Sequence, residues 1–171
     1  MALTVEDGTG LAAAESYVSV SDCEAYCTAK GLVFASGSTT DKETALRRAT
    51  DAIDAIYRSR FPGVRRKYRN QAKEWPRLGA ADASGYPVPY DAVPVEIKNA
   101  TCEAAVRELA EAGTMAPDLD RGGAIRRIKA GSVEVEYGAN ASAGSVFTVI
   151  DGLLSGLLRP ASVYLGVSAR G

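Results

Sequence analysis

Residues 41–61 read DKETALRRATDAIDAIYRSRF, and they form the clearest helical pattern in the chain. Their apolar side chains recur at spacings of three and four residues, which is the period of one buried helix face. These apolar positions are Leu46, Ala49, Ile53, Ile56, Tyr57 and Phe61. Thr40 and Glu43 have the spacing of a capping box, and Pro62 follows the pattern as a helix stop. The stretch therefore predicts a long amphipathic helix that packs against the remainder of the chain.

Shorter helices are predicted on either side of this one. Before it, Ser21 and Glu24 have the spacing of a capping box, and Gly31 is a helix stop. After it, Pro94 is a favoured first-turn residue and Gly113 ends the pattern. The third helix carries a stripe of small side chains that suits close packing: Ile97, Ala100, Thr101, Ala104 and either Val106 or Leu109.

The segment after the third helix predicts a hairpin and a weaker helix. Residues 133–137 alternate between apolar and acidic side chains, which is the pattern of a half-buried strand. A plausible turn at residues 130–132 would pair this strand with residues 125–129. Residues 147–157 have helical spacing of apolar side chains, although two glycines weaken the pattern.

These patterns predict a mainly α protein, with three to four helices in a small bundle, a β-hairpin and extended N- and C-terminal arms. Residues 1–20 are expected to form the N-terminal arm. Residues 21–137 form the helical domain, which includes a long loop at 62–93 and the hairpin at 125–137. Residues 138–171 are a C-terminal extension, and the length of 171 residues suits a single domain.

Composition excludes several kinds of chemistry. The chain has no histidine, which removes the commonest general base and the Ser-His and Cys-His nucleophile pairs. Its three cysteines, Cys23, Cys27 and Cys102, are one short of the four ligands of a structural zinc site. We therefore expect buried, reduced cysteines, no metal, no cofactor and no enzymatic activity.

The charge and hydropathy of the chain point to a non-membrane protein. Its net charge is −1, which by itself indicates no partner. No apolar run approaches the roughly 20 residues that span a bilayer, and the acidic N-terminus lacks the pattern of a secretory signal. We expect no membrane contact and assembly in the reducing cytoplasm of a cell.

A basic cluster follows the long helix. Seven basic residues and no acidic residue occur between positions 58 and 73: Arg58, Arg60, Arg65, Arg66, Lys67, Arg69 and Lys73. Aromatic side chains lie among them, and this composition suits nucleic acid, since cations neutralise phosphates and aromatic rings stack on bases. Two other interpretations remain open. The cluster could be a solvated helix end, or it could contact the acidic N-terminal arm of a neighbouring copy.

The loop at 62–93 holds the chain's single tryptophan, Trp75, followed by Pro76 and Arg77. A long loop without regular structure is unusual in a compact domain and is often functional. Tryptophan is enriched among interface anchors, but a lone tryptophan also packs inside its own domain. We predict that Trp75, Pro76 and Arg77 anchor the loop, either on the bundle of their own chain or on a neighbouring subunit.

Five stretches in this order resemble a family of tailed-phage proteins. They are the opening MALTVEDGTGLAAAESYVSV (residues 1–20), the helix ALRRATDAIDAIY (45–57), QAKEWPR (71–77), GYPVP (85–89) and VPVEIKNATCEAA (93–105). The family's corresponding motifs are a G-T-G turn, an A-T-x-x-[IL]-D helix, a W-P-R loop and an I/V-P helix start. The resemblance covers roughly the first 137 residues and leaves the C-terminal tail without a counterpart.

The family is often labelled as DnaT-like single-stranded-DNA-binding protein. Its architecture is similar to that of the head–tail connector proteins of long-tailed phages, also called adaptor, neck or head-completion proteins. That resemblance implies a structural virion protein that forms a ring, typically of twelve copies, beneath the portal. The implied partners are the portal protein, a neck, tail-completion or tail-terminator protein, and duplex DNA that passes through the ring without sequence readout. The implied location is the head–tail interface of the virion.

The second interpretation is a DnaT-like single-stranded-DNA-binding accessory protein of replication. The basic cluster with its aromatic residues and the family label favour it. The near-zero net charge and the absence of a run of short strands typical of an OB-fold count against it. We expect the connector role, with the single-stranded-DNA-binding role as the alternative.

Overall fold

The computed structural model describes residues 2–34, 36–116, 127–130, 133–136 and 147–160. This part of the chain contains four helices: α1 (Val20–Lys30), α2 (Thr39–Tyr57), α3 (Val95–Ala110) and α4 (Thr148–Leu154). The strands are short: β1 (Val64–Arg65), β2 (Arg77–Leu78), β3 (Arg127–Ala130) and β4 (Val133–Glu136), with a 3-10 turn at Tyr68–Asn70. The prediction of a small, mainly α domain with a hairpin is confirmed.

The core lies where α2 packs on α3 and α3 packs on α4. Leu46 and Ile53 of α2 and Ile97 of α3 are completely buried, as are the small residues Ala100 and Ala104. Small side chains on α3 let the helix backbones approach closely, and this confirms the predicted stripe. Val106 and Leu109 of α3 are both half-buried. On α2 the predicted buried face has one exception, because Ile56 is 40% exposed.

The predicted starts of α1 and α2 are displaced by about one half turn from the observed caps. Ser19, not Ser21, caps α1, and its hydroxyl accepts a hydrogen bond from the backbone N–H of Asp22. The capping box of α2 is formed by Ser38 and Asp41, not by Thr40 and Glu43. The cap must have an extended backbone, and Ser38 has it at φ −64° and ψ 163°, whereas Thr40 already lies inside the helix.

Residues 2–20 pack on the domain and do not extend away from it as the predicted arm would. Val5 and Ser16 form a bridge, and Tyr17 and Val18 are buried in the core. The carboxylate of Glu15 accepts hydrogen bonds from the guanidinium of Arg47 on α2 at 3.0 Å. The segment is therefore held by its own chain, because its apolar and acidic side chains find partners there.

The long loop at 62–93 contains two small β pairings besides the 3-10 turn at Tyr68–Asn70. Strands β1 and β2 pair antiparallel, with Val64 opposite Leu78. Further along, Ala81 and Pro87 form an isolated bridge. The peptide bond between Trp75 and Pro76 is cis.

The predicted hairpin lies inside its expected bounds. Strands β3 and β4 are antiparallel neighbours, with Ile128 opposite Val135. Helix α4 belongs to the predicted C-terminal extension, and the last eleven residues of that extension lie outside the described residues. The three cysteines are free thiols and are buried, as expected.

A candidate nucleic-acid interface

Trp75 fixes the loop that follows α2 on the core of its own chain. Its side chain is fully buried, and its ring packs edge-on against Phe61 with 5.7 Å between the ring centroids. Its backbone N–H donates a hydrogen bond to the hydroxyl of Tyr17 at 3.1 Å. The N-terminal segment, the end of α2 and the loop therefore meet at this residue.

Asp54 on α2 connects the same three segments. One carboxylate oxygen accepts a hydrogen bond from the Tyr17 hydroxyl at 2.6 Å, and the other accepts one from the backbone N–H of Glu74 at 3.1 Å. Burial raises the pKa of Asp54 to about 6, although these two hydrogen bonds act in the opposite direction. Burial likewise raises the pKa of Tyr17, and the Asp54 carboxylate adds to that shift. These hydrogen bonds join the loop and the N-terminal segment to α2.

Arg77 is a structural cation. Its guanidinium donates hydrogen bonds to the backbone carbonyl oxygens of Pro62 at 2.7 Å and Gly63 at 2.9 Å, and to the carboxylate of Glu74 at 2.8 Å. The side chain is buried against Phe61, so its N–H groups form their hydrogen bonds inside the fold. Arg77 therefore holds the two ends of the loop together and offers no charge to a ligand.

The N-terminal turn at residues 6–11 supports the outer part of the loop. The buried carboxylate of Glu6 accepts hydrogen bonds from the backbone N–H groups of Gly8, Gly10 and Leu11 at 2.8 to 3.0 Å. Gly10 has φ +80°, and a Cβ atom there would lie only 2.8 Å from Cγ of Lys67. The glycine-containing turn therefore lies directly against the basic segment.

Arg66 is held by contacts from two other segments. It donates a hydrogen bond to the carbonyl oxygen of Gly8 at 2.6 Å, and its guanidinium lies 5.2 Å from the ring centroid of Tyr90. Hydrogen bonds from Thr9 lower the pKa of Asp7, and the charge of Arg66 makes a smaller contribution. Arg66 is thus a preorganised cation beside an exposed aromatic ring, since the Tyr90 side chain is 55% exposed.

Tyr68 has the most unusual backbone in this segment. Among the non-glycine residues that the structure describes, Tyr68 alone has a positive φ, which is +53°. Its side chain is 67% exposed. Non-glycine residues rarely adopt this left-handed conformation, and such residues cluster at functional sites. Lys67 and Arg69 on either side are also exposed. The turn therefore presents an aromatic ring between two cations.

The structure divides the seven residues of the basic cluster into three groups. Arg58, Lys67 and Arg69 are exposed, and Arg60, Arg65 and Arg66 are half-buried. Lys73 is buried and pairs with the carboxylate of Asp51 at 2.6 Å, so it is a structural residue. Within the described part of the chain, the other six residues of the cluster form no ion pair with a carboxylate. We name one part of this region the basic–aromatic surface: Arg65, Arg66, Lys67, Tyr68, Arg69 and Tyr90.

Sequence reasoning missed Tyr90 and the N-terminal turn as parts of this surface. Tyr90 follows Pro89 in a proline-rich stretch, where a stiff extended backbone leaves an aromatic side chain little core to enter. That signal was present in the sequence. The contact between Gly8 and Arg66 joins residues 58 positions apart, and no local pattern indicates it.

Other kinds of site find no support in the described residues. No group of three or more cysteine or carboxylate side chains among them is arranged to hold a metal ion. No described helix combines the length and the apolar character needed to cross a membrane.

A family model described as "Putative DnaT-like ssDNA binding protein" matches residues 1–170. The chain belongs to this family. Comparison with curated proteins and with solved structures gives no match.

The family match corrects the expected connector role. The model describes a single-stranded-DNA-binding family and not a head–tail connector family, so the prediction of a structural virion protein is wrong. The twelve-membered ring, the portal and neck partners, and the duplex DNA in its lumen were parts of that prediction and are withdrawn with it. The expected location in the virion rested on the same interpretation and has no support of its own.

Proposed function

We propose that this protein binds single-stranded DNA on the basic–aromatic surface and catalyses no reaction. The observation that carries the proposal is Tyr68, an exposed aromatic ring on a left-handed backbone between two exposed cations. The membership of the chain in a family described by single-stranded-DNA binding supports the same conclusion. The lack of histidine supports a binding role over a catalytic one.

The surface has both components that a single strand requires. Unpaired bases expose their faces, and stacking on an aromatic side chain contributes about 1–3 kcal/mol per base without sequence readout. Tyr68 and Tyr90 offer two such rings. The cations beside them neutralise phosphates and release counterions, which makes the affinity depend on salt. A duplex hides its base faces, so a tyrosine ring gains nothing from it by stacking.

The near-zero net charge is compatible with this role. The carboxylates of Glu6, Glu15, Asp51 and Asp54 each accept hydrogen bonds from groups of the same chain. The charges of Glu15 and Asp51 are partly neutralised by their ion-pair partners Arg47 and Lys73. The local excess of cations at residues 65–69 therefore determines how a phosphate strand is attracted to this surface.

The test compares binding of an oligo-dT strand by the wild type, Tyr68→Gly and Tyr68→Phe, measured by fluorescence anisotropy at two salt concentrations. Glycine removes the ring and suits the left-handed backbone, so it separates loss of stacking from backbone strain. We expect Tyr68→Gly to raise the Kd between about fivefold and a hundredfold. Tyr68→Phe retains the ring and should bind nearly as the wild type does.

Tyr86→Ala is the matched control, because Tyr86 is 70% exposed but lies outside the basic–aromatic surface. A second pair of variants tests the charge. Lys67→Ala should weaken binding and lower the slope of log K against log salt concentration by about one released ion. Arg48→Ala on α2 should change neither quantity. Wild-type protein that binds the strand no better than Tyr68→Gly does would contradict the proposal. Equal affinity for a duplex of the same length would also contradict it.

A further inference from the structure

Two arginines far apart in the sequence meet where the chain after α4 returns to the end of α2. The backbone N–H of Arg159 donates a hydrogen bond to the carbonyl oxygen of Arg60 at 2.8 Å. In return, Nε of Arg60 donates to the carbonyl oxygen of Arg159 at 3.1 Å. This reciprocal pair fixes both backbones and places both side chains at one location.

That location is a cleft of about 470 Å³. Its walls include Arg60, Asp82, Ala83, Ser155, Leu158 and Arg159. A hydrogen bond of 2.7 Å from the backbone N–H of Ala83 to the carbonyl oxygen of Gly156 ties the loop side of the cleft to the α4 side. The cleft is therefore a fixed feature, formed where three segments are joined by main-chain hydrogen bonds.

The charge balance of the cleft favours an anion. Within the described part of the chain, neither arginine side chain pairs with a carboxylate, and the terminal nitrogens of Arg60 form no hydrogen bond. Asp82 is the acidic residue among the cleft walls. One of its oxygens already accepts hydrogen bonds from the backbone N–H groups of Ser84 and Tyr86, both at 2.9 Å. Two guanidinium groups thus oppose one carboxylate, of which one oxygen is already occupied by backbone N–H groups.

The geometry points to a phosphate-binding cleft, in which Arg60 and Arg159 bind a phosphate group of the strand that the basic–aromatic surface holds. Planar guanidinium groups match phosphate oxygens with paired hydrogen bonds, and Ser155 adds a hydroxyl group at the cleft wall. This inference rests on the proposed function. Arg60 and Arg65 are five positions apart in the chain, a span of at most about 18 Å, so one strand can reach both places.

The experiment uses Arg159→Ala as its main variant, since the backbone hydrogen bond of residue 159 survives the truncation of its exposed side chain. Oligo-dT strands with a 5′-phosphate, a 3′-phosphate or hydroxyl ends are titrated against the wild type, Arg159→Ala and Arg159→Lys. Arg48→Ala is the control for loss of an exposed cation elsewhere. We expect a roughly three- to tenfold rise in Kd for Arg159→Ala and partial recovery for Arg159→Lys, since lysine keeps the charge but loses the fork.

The three strands identify which phosphate is bound. An equal loss for all strands, with a salt slope reduced by about one ion, assigns an internal phosphodiester. A loss confined to one phosphorylated end assigns a terminal phosphate. A parallel titration with inorganic phosphate, followed by NMR amide shifts at Arg60, Ala83 and Ser155, tests the cleft without DNA. Asp82→Asn removes the opposing charge and should tighten phosphate binding in the same assay.

The outcomes separate this inference from the proposed function. In one outcome Tyr68→Gly loses affinity, Arg159→Ala binds as the wild type does, and phosphate causes no amide shifts. This outcome overturns the phosphate-binding role of the cleft and leaves the proposed function standing. A wild-type protein that binds no strand but shows phosphate shifts that Arg159→Ala abolishes overturns the proposed function and the role of DNA, and leaves an anion cleft. The absence of both responses overturns both.

Discussion

Asp54 is a buried carboxyl group with hydrogen-bond donors on both oxygens. The Tyr17 hydroxyl and the backbone N–H of Glu74 supply these donors, and Trp75 in turn donates to the Tyr17 hydroxyl. The chain from Trp75 through Tyr17 to Asp54 therefore links three segments by polar contacts inside an apolar core. Breaking such a network destabilises the folded state, because each buried polar group left without a partner costs about 1–3 kcal/mol of folding free energy.

The raised pKa of Asp54 predicts how stability changes with pH. Its value is about 6 in the folded protein, against 3.8 as the ordinary value. Between these two pH values the folded state binds more protons than the unfolded state, so this group's contribution to stability falls as the pH rises. The free energy of unfolding of the wild type relative to Asp54→Asn should fall by on the order of 3 kcal/mol from pH 4 to pH 7.

Urea unfolding of both proteins at several pH values measures this difference. The comparison cancels the carboxylates of Asp7 and Glu15, whose pKa values are lowered and whose effects have the opposite sign. Parallel pH profiles for the wild type and Asp54→Asn would show that burial does not shift this carboxyl group. Asparagine keeps an acceptor for Tyr17, which limits the damage to the network.

At the scale of elements, the ends of helices depended on details that the hydrophobic pattern does not contain. The core face of α2 was predicted from its periodicity, because burial of Leu46, Ala49 and Ile53 follows directly from their spacing. The cap was misplaced because several neighbouring Ser and Thr residues offer the same hydroxyl group. Only the backbone conformation selects Ser38 among them.

The corrected cap gives a prediction for α2. Ser38→Ala should lower the free energy of unfolding by about 1 kcal/mol, since the hydroxyl accepts from the N–H of Asp41. Thr40→Ala should have a much smaller effect, because Thr40 lies within the helix and is exposed. Thermal unfolding followed by circular dichroism should show a shift of about 2–4 °C for the first variant. A larger loss from Thr40→Ala would restore the originally predicted cap.

At the scale of the whole molecule, the loop at 62–93 and the N-terminal segment behave as parts of the core. Trp75 in the loop and Tyr17 in the N-terminal segment are both fully or almost fully buried, and they contact each other. Neither segment can leave without exposing this apolar surface and breaking the hydrogen bonds of Asp54. We infer that both unfold together with the helices.

Trp75 is the chain's one tryptophan, so its fluorescence reports on the loop while far-UV circular dichroism reports on the helices. The two signals should give coincident transitions in urea, as expected for one cooperative unit. Tyr17→Phe removes the hydroxyl that bridges Trp75 and Asp54, and it should shift both transitions equally to lower urea. A fluorescence transition that precedes the dichroism transition would show that the loop opens independently.

The resemblance in motifs was sufficient to predict the fold but not the function. The residues common to the chain and its family indicated the fold correctly, but the step to a connector ring was wrong. That step rested on a similarity of architecture, and it was combined with the expectation of an N-terminal arm that reaches a neighbouring copy. The structure instead pairs Glu15 with Arg47 and Gly8 with Arg66 of the same chain, and motif spacing does not reveal such pairing.

The sequence by itself determined the features that depend on near neighbours in the chain. Helical periodicity, the alternation in the hairpin, the absence of histidine and the basic run after α2 are all local properties. Only the tertiary structure decided which cations remain available. Lys73 and Arg77 are drawn into the fold by Asp51 and Glu74, whereas Arg60 meets Arg159 from 99 positions away. The physical reason is that burial and pairing depend on distances through space, and residue types and spacing do not specify these distances.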